Sequence, residues 1–265
     1  MGEDGKKLHV MATKPSNLYH YTSFSALRSI LQIEKEELCI RLSDPASCND
    51  GKEIRFFEEN VYEGTSGEEL KSGEELRRKM EEAAAELGDP FFFCLIQHKQ
   101  SVQHTQSGDS TRKGYLHAEI PMWEMYGDHG QGVRLQFGFK KLNDYISSIQ
   151  DGDDTPVLKP CEYLNNDEMK VKGRMLRKQQ SDPVTLYKEI PLYKNCQWVL
   201  ENEWRAIFWG KKMDGGVYKK IPLSCLNSIR IGSKAKAEDR EWLNSLKGEL
   251  ALRNVKIQQP NLNLK

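Results

Sequence analysis

Glu201 and Glu203 stand two residues apart, with Arg205 two further on, in the run E-N-E-W-R. Alternate residues of an extended chain share a face. Glu201, Glu203, Arg205, Ile207 and Trp209 therefore point one way, and Leu200, Asn202, Trp204, Ala206 and Phe208 the other. Side chains two apart are separated by roughly 6.6 Å, so Arg205 can hold one carboxylate and leave the next free for chemistry. The same spacing also suits an ionic ladder along a strand with no reactive role. Two further stretches set polar and aromatic groups among apolar ones: L-Y-H-Y-T at 18–22, with His20, and M-W-E-M-Y-G at 122–127, with Trp123 and Tyr126.

These groups need elements to position them. Leu18–Thr22 reads as a short strand and Ser23 as the cap of a helix whose Phe24, Leu27, Ile30 and Leu31 face inward. Glu37–Leu42 is a second strand, ending in the polar turn S-D-P-A-S-C-N-D-G at 43–51. The Glu- and Lys-rich residues 52–88 form a helical insertion with a solvated face. Phe91–Ile96 is a buried strand, followed by a long polar loop to residue 118, of a length usually associated with mobility or function. Pro121–Gly127 is a short helix, 128–132 a glycine turn and Val133–Phe137 a strand. Residues 138–190 say less: Val157–Tyr163 is extended and Asn166–Lys188 is helix or loop. Strands at Tyr218–Leu223 and Ser228–Gly232, a helix around Asp239–Leu252 and a strand at Val255–Ile257 complete the order. Short strands between unequal helices predict an α+β fold with a mixed, mainly antiparallel split sheet and peripheral helices. Residues 1–17 are expected to be frayed, and 18–265 to form one domain.

Composition removes several function classes. Lys+Arg and Asp+Glu are equal at 39 each, so no global field draws the chain to nucleic acid or an anionic membrane. No apolar run reaches a membrane span and no secretory signal opens the chain, which predicts a cytoplasmic protein without membrane partners. The six cysteines and six histidines are scattered without ligand spacing, so a metal site is not expected. Neither G-x-G-x-x-G nor a Walker loop is present, and Gly130-Gln131-Gly132 reads as a turn.

Taken together, L-Y-H-Y-T-S-F with L-S-D-P-A-S-C-N-D, then M-W-E-M-Y-G-D-H-G-Q-G-V-R-L-Q-F, then K-x-x-x-W-x-x-E-x-E-W-R and I-R-I-G-S resemble the bacterial family called domain of unknown function 2971. The resemblance runs from about Leu18 to Gly232. It departs at Cys48, where a Phe is usual, and in the length of the Glu-rich segment and the 97–118 loop. That family in turn resembles, more remotely, the ADP-ribosyltransferases. The resemblance implies an ADP-ribosyltransferase-like fold and an enzyme, a toxin or defence effector, that cleaves the nicotinamide–ribose bond of NAD. The ADP-ribose would pass to a protein, nucleic acid or small-molecule acceptor. A glycohydrolase, with water as acceptor, and a catalytically silent nucleotide- or protein-binding module are the alternatives. In that scheme Glu203 or Glu201 stabilises the oxocarbenium-like state. His20, Tyr21, Thr22, Ser43, Trp123, Tyr126 and Arg205 hold NAD, with an aromatic ring against the nicotinamide.

Overall fold

The computed structural model describes residues 14–45, 67–98, 119–149, 155–178, 182–211, 213–214, 216–249 and 254–260. Outside them lie most of the expected frayed start, residues 46–51 of the polar turn, the first part of the helical insertion and the body of the long loop.

The chain opens as expected with strand β1 (Asn17–Thr22) and helix α1 (Phe24–Ile30). The Ser23 side chain accepts a hydrogen bond from the Ala26 amide at 3.1 Å, satisfying one of the unpaired donors of the first turn. Helix α1 buries Phe24, Leu27 and Ile30. The short β2 (Leu31–Gln32) and β3 (Glu37–Leu42) follow. After them come helix α2 (Gly67–Leu87), β4 (Asp89–Ile96), helix α3 (residues 119–126) and β5 (Val133–Gly138). Helix α4 (Phe139–Ser148) follows directly. Its Phe139, Leu142 and Ile146 are buried at helical spacing, but Gly138 gives it no side-chain cap, and nothing local announces its start.

The expected single strand at 157–163 is two. β6 (Val157–Pro160) and β7 (Glu162–Leu164) part at Cys161 and join different sheets. Helices α5 (Asn166–Lys178) and α6 (Pro183–Glu189) come next, the latter capped by Asp182 with proline in its first turn. The remaining elements are β8 (Tyr193–Asn195), β9 (Glu203–Gly210), β10 (Val217–Pro222), β11 (Leu226–Ile231), α7 (Ala237–Ser245) and β12 (Lys256–Gln258). α7 ends before its expected limit because the chain tightens into a 3₁₀ turn at Leu246–Gly248.

The fold is mixed α and β around a mainly antiparallel open sheet, ordered β12-β11-β5-β1-β4-β9-β6, with β10-β3-β2 and β7-β8 as smaller sheets. β1 and β5 share six residue pairs, whereas β1 and β4 share one, Tyr19 with Ile96. The sheet therefore parts between β1 and β4. On one face Leu18, Phe93, Leu95, Leu135, Phe137, Trp204 and Phe208 join the core formed with α1, α4 and the small sheet. On the other face α3 sets Met122 against Tyr21 and Ile96, with Trp123 and Tyr126 beside them. Further along that face, Val184 and Tyr187 of α6 pack over Phe92, Ile207 and Trp209.

The 128–132 turn, which leads from α3 into β5, is held by close backbone contact. A side chain at Gly132 would begin 2.1 Å from the Thr22 carbonyl oxygen, far inside contact distance. Gly132→Ala is expected to lower stability by about 1–3 kcal/mol, read as an earlier urea midpoint. An unchanged midpoint would show that the two segments do not approach so closely.

Candidate functional site

Residues 201–205 do not form one continuous strand. Cys196–Glu201 is a 3₁₀ turn whose first residues are capped by Asn195, which accepts from the Gln197 amide at 3.0 Å. Asn202 then adopts left-handed backbone, φ 44°. Its side chain donates to the Gln97 carbonyl at 2.6 Å, and its own carbonyl accepts from the Gln97 amide at 3.0 Å. Alternation begins only at Glu203, and Glu201 leaves the strand face on which the sequence puts it.

Both carboxylates nevertheless reach one cation, Lys194 of β8. Its ammonium donates to Glu201 Oε2 and, at 2.7 Å, to Glu203 Oε2. Arg205 closes on Glu203 with two donors, Nε to Oε1 at 2.9 Å and Nη2 to Oε2 at 3.3 Å. Its Nη1 donates to the Pro191 carbonyl at 2.6 Å, and its guanidinium lies 4.8 Å from the centre of the Phe92 ring. From α3 the Tyr126 hydroxyl donates to Glu201 Oε1. The Glu203 amide donates to the Tyr163 hydroxyl at 2.8 Å, and the Lys194 ammonium sits 5.4 Å from the Trp198 ring centre. Lys194, Glu201, Glu203 and Arg205 are all buried. Two anions and two cations thus balance in a place where water cannot solvate them.

The two glutamates differ. Burial pushes the Glu203 carboxyl up, but Arg205 and Lys194 together outweigh it and hold the group at about 2. For Glu201 burial dominates, and the opposing pull of Lys194 and Tyr126 leaves its carboxyl above the ordinary range. The depressed Glu203 contributes stability that is complete above its unfolded value near 4.5 and is lost as pH falls through that value towards 2. Acid unfolding should therefore steepen across that window, and Glu203→Gln should flatten it. Parallel acid-titration curves of the Glu203→Gln variant and wild type check this, and identical slopes would remove Glu203 from the acid response.

The structure brings Tyr126, Glu201, Glu203 and Arg205 together. Trp123 lies one turn before Tyr126 on α3, with its ring edge-on to Tyr21 at 5.0 Å. The Tyr21 hydroxyl is 2.9 Å from His98 Nε2. His20 is not brought to this group. Tyr19, Ile96 and Glu203 form one row across β1, β4 and β9, which turns His20 to the opposite face. There its Nδ1–H donates to the Cys94 carbonyl at 3.0 Å, its ring packs 4.9 Å from Phe93, and burial lowers its pKa. Thr22 pairs with Val133 at the far end of β1. Ser43 bridges to Phe92, four positions along β4 from the partner of Glu203, and lines a separate recess with Arg41, Asp44 and Gly216.

Sequence reasoning gave Lys194 and Tyr163 no role in the site. Lys194 opens the K-x-x-x-W-x-x-E-x-E-W-R motif, and that place in the motif was the available signal.

Among the described residues no helix is long and apolar enough to cross a membrane. No curated protein and no solved structure matches the chain. Residues 122–206 match the family described as protein of unknown function (DUF2971). That segment contains Trp123, Tyr126, Lys194, Glu201, Glu203 and Arg205, whereas the L-Y-H-Y-T and I-R-I-G-S pieces lie outside it. Over residues 122–206 the chain is therefore similar to the DUF2971 family of proteins of unknown function.

Proposed function

We propose that the chain cleaves the nicotinamide–ribose bond of NAD and transfers ADP-ribose to an acceptor, with Glu201 as the reacting carboxylate. One observation carries the reading: two glutamates meet at one ammonium, yet only Glu203 is also clamped by Arg205, and Glu201 instead shares a hydrogen bond with Tyr126. Glu203, Arg205 and Lys194 serve as the framework. Glu201 carries a charge that burial solvates poorly, so a ribosyl cation forming beside it gains more than it would in water. Tyr126 fixes the direction of that carboxylate. Trp123, which is partly exposed, offers a ring for a planar base and is backed by the buried Tyr21. As the C–N bond breaks, its electron pair leaves with neutral nicotinamide; the acceptor's lone pair then closes on the ribosyl carbon and its proton is released. The parting of β1 from β4 supports a split-sheet, ADP-ribosyltransferase-like reading of the fold.

A second reading has its own support. Each carboxylate oxygen of Glu201 and Glu203 already has a protein donor, as expected of a silent module in which the cluster only holds the fold. Incubation with adenine-labelled NAD separates the readings. Label on a macromolecule supports transfer, free ADP-ribose supports hydrolysis by the same residues, and intact NAD supports the silent module.

A further inference from the structure

Arg134 on β5 and Arg230 on β11 stand directly opposite each other across the ladder. Like charges in that relation repel and destabilise a sheet. A single carboxylate of α3, Glu119, serves both: it accepts from Arg134 Nη1, while Arg230 Nη1 stays 3.6 Å away. Arg134 is buried, and its Nε–H has no hydrogen-bond partner among the described residues. Gln258 accepts from Arg230 Nε at 3.0 Å and so orients that guanidinium. Burial, and then the charge of Arg134, push Arg230 below its ordinary pKa. Among the described residues the pair is one negative charge short.

A recess of about 220 Å³ opens beside it, lined by Glu119, Trp123, Glu124, Arg230, Ser233 and Lys234, among others. Lys234 is tied to Glu124 at 2.9 Å, and its amide donates to the Gly130 carbonyl at 3.0 Å, fixing the turn that forms the wall. We propose that this recess is a phosphate-binding site, in which Arg230, Ser233 and Lys234 take the anion and the Trp123 ring borders whatever the phosphate carries. Arginine suits the role because its planar fork matches phosphate oxygens. Arg230 is the guanidinium available to do so, since Glu119 holds Arg134 more closely. The volume is below the roughly 300–1,000 Å³ of pockets that enclose a whole drug-sized ligand, so it fits a phosphate with part of its attached group. The inference does not depend on NAD cleavage: it involves Arg230 and Lys234, whereas cleavage involves Glu201.

The test is calorimetric titration of the full chain with adenosine diphosphate and, separately, with inorganic phosphate. Wild type, Arg230→Gln and Lys234→Met are compared after thermal melting has shown which are folded. Wild type is expected to bind at least one probe, with affinity reduced about tenfold or more in Arg230→Gln and about threefold in Lys234→Met. Binding of phosphate alone identifies a free-phosphate site, and binding confined to the diphosphate identifies a nucleotide site. Lys234 is exposed, so if Arg230→Gln fails to fold, Lys234→Met decides. Failure of wild type to bind either probe overturns the proposal, as does undiminished affinity in the folded variants. A loss of NAD cleavage in Glu201→Gln has no bearing on it.

Discussion

Replacing Glu201 with Gln is expected to slow nicotinamide release from NAD by about 100-fold or more, while NAD affinity stays near that of wild type. Gln keeps the size of the side chain: its carbonyl can still accept from Lys194, and its amide can donate to the Tyr126 hydroxyl, which turns to accept, so both partners that hold Glu201 in place are kept. What it removes is the negative charge, and that charge is needed when the ribosyl carbon becomes cationic, not when intact NAD binds. Single-turnover release beside an NAD titration reads the two effects separately. If affinity falls as far as turnover does, Glu201 is a binding residue and the assignment of the reacting charge is lost.

Arg205→Ala is expected to be the most damaging substitution for the fold, at about 3–5 kcal/mol. The guanidinium is 1% exposed and has three tasks: it grips Glu203 with two donors, satisfies the Pro191 carbonyl and covers the Phe92 ring. Truncation leaves Glu203 with Lys194 as its cation, orphans a carbonyl oxygen and opens a cavity against Phe92. Arg205→Lys, which keeps the charge but not the fork, should fall between Ala and wild type. Urea unfolding of the three proteins gives the order directly, and an Arg205→Ala midpoint equal to that of wild type would mean that the residue is an ordinary surface charge.

What could be read from the sequence was local. The strand and capped helix at Leu18–Ile30 follow from aromatic and β-branched residues, one serine and apolar spacing, all within a few residues of one another. The Glu203–Arg205 clamp follows from strand alternation, because both ends lie on the same strand. Glu201 could not be placed that way. The left-handed turn at Asn202 that diverts it is tied to Gln97, 105 residues earlier in the chain. The side of the sheet taken by His20 is likewise set by register, through the pairing of Tyr19 with Ile96 and of Ile96 with Glu203. A one-residue shift would have turned His20 towards the carboxylates. The role of Lys194 could not be read from its motif for a related reason: its burial depends on two anions that reach it from a later turn and strand. The paired arginines at 134 and 230 share a face only once β5 and β11 align.

Assaying Glu201→Gln and Glu203→Gln side by side, for nicotinamide release and for urea stability, separates the proposed reacting carboxylate from the proposed framework carboxylate. A crossed pattern is expected: Glu201→Gln slows release about 100-fold or more with little change in midpoint, and Glu203→Gln lowers the midpoint because Arg205 and Lys194 lose their shared anion. Wild-type release from Glu201→Gln, with stability unchanged in Glu203→Gln, would contradict both assignments.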